Sequence, residues 1–170
     1  MNADDLRALQ APLKDRYKTA PETAVVTLAA TGRLDADDVV CRVETGKALV
    51  AAGLHPATGG SAALTCSGNM LLEALVACAG VTLKAVATAI GFDLRGGRVT
   101  AEGDLDFRGT LGVAKDAPVG FRAIRLRFAL ETDEPAERIA QLTKLTERYC
   151  VVYQTLAQPP RLDLDVTGRG

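Results

Sequence analysis

The chain alternates between stretches of helical and of strand-like hydropathy. In residues 4–18 the apolar positions Leu6, Leu9 and Leu13 recur at helical spacing, with Pro12 inside the pattern and Pro21 beyond it. This predicts a short N-terminal helix with a kink. From residue 23 to 53 the pattern shifts to β-branched runs punctuated by Gly32, Gly46 and Gly53, which predicts an antiparallel meander. Within it Val39, Cys41 and Val43 share one face while Arg42 and Glu44 take the other, so Cys41 is read as a core residue. The stretch LHPATGGSAALTCSG reads as a loop, with Ser67 positioned to cap a helix that runs without proline to about Ile90. In that helix Glu73 and Lys84 fall on one stripe and the remaining surface is apolar, so it needs cover on nearly every side.

Residues 98–108 and 121–131 alternate as two long strands joined by GTLGVAKDAPVG, a predicted hairpin. Pro135 opens a second helix over 136–149, and a short helical turn follows through VVYQTLA before Pro159 and Pro160. Leu162, Leu164 and Val166 then alternate with Asp163 and Asp165 as a final strand. The order is that of an α+β fold, with helices segregated to one side of a mostly antiparallel sheet. Residues 1–22 are expected to be a helical extension and 23–170 the body of a single domain.

Charge narrows the function classes. Twenty Lys and Arg against 21 Asp and Glu, with no basic run, leave no cationic stripe for nucleic acid. No secretory signal is visible, which makes the cytoplasm the expected compartment. The apolar run 70–90 approaches membrane-spanning length, but Glu73 and Lys84 would each cost roughly 2.5–3.5 kcal/mol at mid-bilayer, so a buried helix is expected and no membrane partner. Four cysteines, at 41, 66, 78 and 150, with His55 as the lone histidine, do not make a metal-binding set. No nucleotide-binding glycine pattern is present, and no cofactor is expected.

The chemistry therefore centres on thiols. Cys78 lies mid-helix among small residues, where its own helix dipole helps little and a reactive thiol needs a donor or cation from elsewhere; the alternative is a small buried hydrophobe. If the helix ending near Tyr149 breaks there, Cys150 sits at a new helix N-terminus beside Arg148, an arrangement that favours thiolate. Cys66, just before the central helix, is a competing reactive thiol. His55 is a candidate acid/base or ligand-binding donor.

LLEALVACAGVTLKAVATAIGFDL and TERYCVVYQTL, their cysteines 72 positions apart, together resemble the paired motifs of the OsmC/Ohr family. In element order the resemblance extends over residues 23–166. It implies antiparallel sheets around a long central helix and an intertwined homodimer with the site near the subunit interface. It also implies Cys78 as the peroxidatic thiol, Cys150 as the resolving thiol, and a disulfide reset by a dithiol reductant. The substrate would be an organic hydroperoxide.

One departure stands out. Family enzymes often carry an acidic residue ten positions before the first cysteine, where it orients a thiolate-stabilising arginine; here that position is Gly68. Glu73, five positions before Cys78, lies about 140° around the helix, and is assigned either to a role across the dimer or to pairing with Lys84 or an arginine. Arg33, Arg42 and Arg148 are the candidates for the arginine. Three readings follow: a thiol peroxidase, a module binding a small hydrophobic molecule in the same apolar pocket, and a thiol redox sensor.

Overall fold

The computed structural model describes residues 3–34, 41–43, 52–60 and 65–167, with the side chains of 3–7, 9 and 28–53 left aside. Helix α1 (Ala3–Thr19) carries Pro12 within it, and a 3-10 turn (Pro21–Ala24) leads into strand β1 (Val25–Leu34). Strand β2 (Cys41–Val43) pairs antiparallel with β1. Strand β3 (Ala52–Gly53) departs from the expected meander: it pairs in parallel with β4 (Thr65–Cys66) as a separate two-stranded ribbon. The rest of the run 44–51 lies outside the described residues, as does the part of the predicted second strand before Cys41.

Helix α2 (Ser67–Ala89) is the central helix, and strands β5 (Gly96–Asp106) and β6 (Phe121–Glu131) form the predicted hairpin. Strand β5 stops short of Arg108 because the Asp106 carboxylate accepts from the Arg108 N–H, opening the one-turn helix α3 (Phe107–Thr110). Helices α4 (Ala136–Tyr149) and α5 (Val151–Ala157) follow, with Pro135 as the N-cap of α4. The main sheet runs β2-β1-β5-β6, all neighbours antiparallel. Residues 159–167 belong to no helix or strand, so the expected final strand does not form among the described residues.

Period-two alternation decides which sheet face is buried. Val99, Ala101 and Leu105 of β5 point to the core and stand beside Ile124, Leu126 and Phe128 of β6. The opposite face holds charges: Arg125 bonds Asp104 at 2.6 and 2.9 Å, and Arg127 bonds Glu102 at 2.7 Å. Onto the core face α2 lays Leu72, Leu75, Val76, Ala79, Leu83 and Ala87, a helical stripe that is 1% exposed at most. By length and composition α2 could cross a membrane, but this stripe is packed against sheet and helix.

The expected Ser67 cap is not found. Cys66 holds the N-cap position of α2 without a side-chain cap bond, and Ser67 is already helical. At the other end Gly91, at φ +60°, takes the left-handed turn, and Phe92 N–H closes onto Ala87 O at 2.9 Å.

Helix α1 is tied to the body through Tyr17, fully buried, whose hydroxyl donates to Ala57 O at 2.6 Å. Gln10 adds a bond to Thr58 O at 3.3 Å. Tyr17→Phe leaves that carbonyl short of a donor and is expected to lower unfolding free energy by about 1–3 kcal/mol, read as an earlier urea midpoint at unchanged slope.

Candidate functional site

The two thiols meet because α2 and α4 pack in matched, antiparallel register. Arg138 of α4 donates to Ile90 O at 3.2 Å and Gly91 O at 3.0 Å, pinning the start of α4 to the end of α2. Cys150 lies twelve residues beyond Arg138, and Cys78 twelve residues before Ile90. At 1.5 Å per residue both distances are about 18 Å, so the second cysteine arrives opposite the first. There α4 ends. Cys150 takes an extended conformation (φ −73°, ψ 108°), and the chain restarts as α5, with β-branched Val151 and Val152 in its first turn.

This break gives Cys78 the donors that its own helix lacks. Burial pushes the Cys78 thiol up, but hydrogen-bond contacts outweigh it: the Val152 N–H, the Cys150 thiol, the Val151 N–H and the Thr82 hydroxyl. The net effect is a pKa below that of an ordinary thiol. Val151 and Val152 supply first-turn amides, which have no carbonyl to bond within their own helix. These amides are the donors from elsewhere that a reactive Cys78, mid-helix in α2, was expected to need.

Cys150 behaves in the opposite way to its sequence position. It is the N-cap of α5, its sulfur accepting from Tyr153 N–H at 3.5 Å, yet it is 1% exposed. Burial, together with the neighbouring Cys78 charge, pushes its pKa up to about 11. Of the pair, Cys150 is thus the thiol held protonated and a donor, and Cys78 the one that ionises more readily. Arg148 does not reach either sulfur; its guanidinium stacks over Tyr149, 5.4 Å from the ring centre.

The other candidates lie elsewhere. Glu73 is half-buried and makes no ion pair with Lys84 among the described residues, since eleven residues of helix separate them by roughly 16 Å. Lys84 is buried, its ammonium 3.5 Å from Leu94 O. Arg33 stands in β1 in register with Arg42 of β2 and Arg98 of β5; its side chain, like that of Arg42 and of Cys41, is outside the described set.

His55 and Cys66 share a second cavity of about 400 Å³ with Leu105, Phe107 and Phe121. His55 stacks on Phe107 at 4.8 Å, and its Nδ1 accepts from Ala57 N–H at 3.0 Å. Burial lowers its pKa, so the ring is neutral near pH 7 and carries its proton on Nε2. Cys66 stands twelve residues before Cys78 on the axis of α2, again about 18 Å away, too far to bridge to it within one chain. Among the described residues no cluster of three or more His, Cys, Asp or Glu side chains is arranged to hold a metal ion.

An apolar groove of about 510 Å³ is lined by Leu71, Leu75, Phe121, Ile124, Tyr153 and Leu156, together with Arg122; neither cysteine is in its wall. Leu75 and Leu71 precede Cys78 by one and two turns on the same face of α2. Tyr153 also walls a smaller cavity of about 150 Å³ that reaches Cys150. Sequence reasoning missed Thr82 and the two valine amides. Thr82 could have been found, since i+4 spacing places it beside Cys78; the amides needed the tertiary structure.

The comparisons agree with this architecture. The crystal structure of an OsmC-like hydroperoxide resistance protein from Jannaschia sp. CCS1 superposes with a TM-score of 0.61 at 16% identity, over 85% of this chain and 95% of that one. No curated protein matches by sequence. The family model described as OsmC-like protein matches residues 59–165, more than half of the chain and including both thiols. The chain belongs to the OsmC-like protein family.

Proposed function

We propose that the protein reduces organic hydroperoxides through Cys78 and Cys150. The observation that carries this reading is the split between two neighbouring thiols, Cys78 lowered below an ordinary thiol by the donors around it and Cys150 pushed up to about 11 by burial. A thiolate is the nucleophile that attacks O–O bonds, and a neighbouring protonated thiol is the partner that sulfenic acid condenses with. The Cys78 thiolate attacks one peroxide oxygen and the O–O bond breaks. With one proton taken up, the products are Cys78 sulfenic acid and an alcohol. The Cys150 thiol then displaces hydroxide from the sulfenic sulfur; water leaves and a disulfide forms. A dithiol reductant returns both cysteines to thiols and leaves as its own disulfide. The apolar groove beside Leu71 and Leu75 suits the organic portion of the substrate.

The active unit in this reading is a homodimer. The uncovered face of α2 is apolar, with Met70 and Leu71 each 37% and Val81 41% exposed. In the segment beyond Pro160, Leu162, Leu164 and Val166 are 80–92% exposed and alternate with aspartates, the pattern of a strand awaiting a sheet. A second chain covers both. The structural neighbour, described as a hydroperoxide resistance protein, favours the same chemistry.

The groove by itself favours a second reading, a carrier of a small hydrophobic molecule without turnover. Intact mass and peptide mapping of the reduced protein after one equivalent of an organic hydroperoxide separates the two. The peroxidase reading expects rapid loss of two hydrogens and a peptide linking Cys78 to Cys150. Thiols that stay reduced sink it in favour of the carrier.

A further inference from the structure

His55 is held from several sides at once. It caps the 3-10 turn Pro56–Thr58, its Nδ1 accepting from Ala57 N–H at 3.0 Å. Its carbonyl accepts from Thr58 N–H at 2.8 Å, from the Thr58 hydroxyl at 2.9 Å and from Gly60 N–H at 3.1 Å. Its ring lies nearly flat on Phe107, with 4.8 Å between centres and 17° between planes. Helix α1 braces the same turn, through the bonds from Tyr17 to Ala57 O and from Gln10 to Thr58 O. Because Nδ1 is an acceptor, the neutral ring carries its proton on Nε2. Nε2 has no hydrogen-bond partner among the described residues, where Asn69 Oδ1 is the one side-chain atom buried without a partner. Open space therefore remains in front of Nε2, and the cavity of about 400 Å³ is the space that His55 lines.

That cavity falls in the range of small-molecule sites, about 300–1,000 Å³. Its wall is mostly apolar, with Leu54, Leu71, Leu105, Phe107, Val119 and Phe121, and has no charged side chain among the described residues. An ion placed there sheds water and meets no counter-charge, so the wall selects against both signs. The groove of about 510 Å³ differs, having Arg122 in its wall, and the two adjoin at Leu71, Gly120 and Phe121, which belong to both. Within the smaller cavity His55 presents a fixed, uncharged donor, which an uncharged acceptor meets without rearrangement of the protein. We propose that this cavity binds a small uncharged molecule by a carbonyl oxygen, which accepts from His55 Nε2–H while its apolar body lies against Leu71, Leu105 and Phe121. The site is separate from the thiol chemistry and stands whether or not Cys78 reduces peroxides.

The chain has a single histidine, so the spectrum of protein labelled with nitrogen-15 histidine reports on this ring alone. Three probes of similar size are titrated at neutral pH: acetophenone, which has a carbonyl, ethylbenzene, which lacks one, and benzoate, which carries a charge. Acetophenone is expected to move the Nε2 resonance along a saturating curve, and benzoate at the same concentrations to leave it in place. His55→Ser keeps a capping oxygen for Ala57 N–H and removes the donor, and circular dichroism verifies that it folds. Calorimetry on wild type and variant gives the ratio of acetophenone affinity to ethylbenzene affinity, which is expected to fall about fivefold or more in the variant. Both probes feel the lost ring packing, so the ratio isolates the hydrogen bond. An Nε2 resonance that acetophenone leaves unmoved, one that benzoate moves as far, or a ratio unchanged in the variant overturns the proposal. If the variant does not fold, the wild-type titration decides by itself.

Discussion

Cys78→Ser is expected to bring hydroperoxide consumption down to the uncatalysed rate, whereas Cys150→Ser is expected to complete one oxidation and stop. The two outcomes differ because the two sulfurs differ in charge. At neutral pH the nucleophile is the thiol whose pKa is lowered, and serine at that position presents an un-ionised hydroxyl that does not cleave an O–O bond. Cys150, with its pKa at about 11, contributes no thiolate until strongly alkaline pH, and its work comes after the first oxidation. Without it the Cys78 sulfenic acid persists, trappable by a dione probe, and advances to sulfinic acid when peroxide is in excess. The sign of the pH dependence follows: as pH rises, Cys78 becomes reactive first and Cys150 only at higher pH, near 11. Stopped-flow peroxide assays with mass analysis of each variant provide the check. Undiminished consumption by Cys78→Ser would remove Cys78 from the mechanism, and Cys66 would then be the next thiol to replace.

Val81→Glu is the second change with a large expected effect, this time on assembly. Val81 sits three residues after Cys78 on the uncovered face of α2 and is 41% exposed in the single chain. Glutamate is at least as good a helix former as valine, and its carboxylate stays hydrated in one isolated chain, so the fold is expected to survive. Pressed against a second apolar surface, the same carboxylate loses its water, which costs several kcal/mol unless it finds a cation. Light scattering is expected to give twice the 17.8 kDa chain mass for the wild type and the single-chain mass for the variant, with the same far-UV dichroism. A wild type that scatters as one chain would remove the dimer from the proposed function, and a variant that remains paired would move the interface away from α2.

Much of the architecture is legible because periodicity records burial. The central helix, the long hairpin and the helix after Pro135 each have enough residues for their apolar spacing to be read, and each occurs where the pattern places it. The break at Cys150 stayed conditional in the sequence, between a helix ending at Tyr149 and a short turn through VVYQTLA, and the structure has it. Short elements fail for a physical reason. Two residues, as in β3 and β4, carry no periodicity, and their parallel pairing is decided by tertiary packing. The C-terminal alternation of leucine and valine with aspartate is a true strand pattern, but a strand also needs a neighbour, and within one chain residues 162–166 have none among the described residues.

At the site, residue identity drew attention to both thiols but misread the electrostatics of Cys150. Cys150 at a helix start beside Arg148 looked like the activated sulfur. Local sequence cannot report that Cys150 is buried to 1% exposure, nor that Arg148 is turned onto Tyr149. It was equally silent on where the first-turn amides of α5 are directed, because that depends on the twelve-residue match between Arg138 and Cys150 on one helix and Cys78 and Ile90 on the other.

Those amides have a consequence for how the protein can vary. A cation that stabilises a thiolate must be a particular side chain, and losing it leaves a visible gap in the sequence. A peptide N–H is supplied by every residue type except proline. Positions 151 and 152 can therefore exchange valine for almost any residue that keeps the α5 turn and still deliver the same two donors to Cys78. Reactivity held this way is written in chain path more than in residue choice. The substitution to which it is most vulnerable is proline, at either of two positions that look interchangeable.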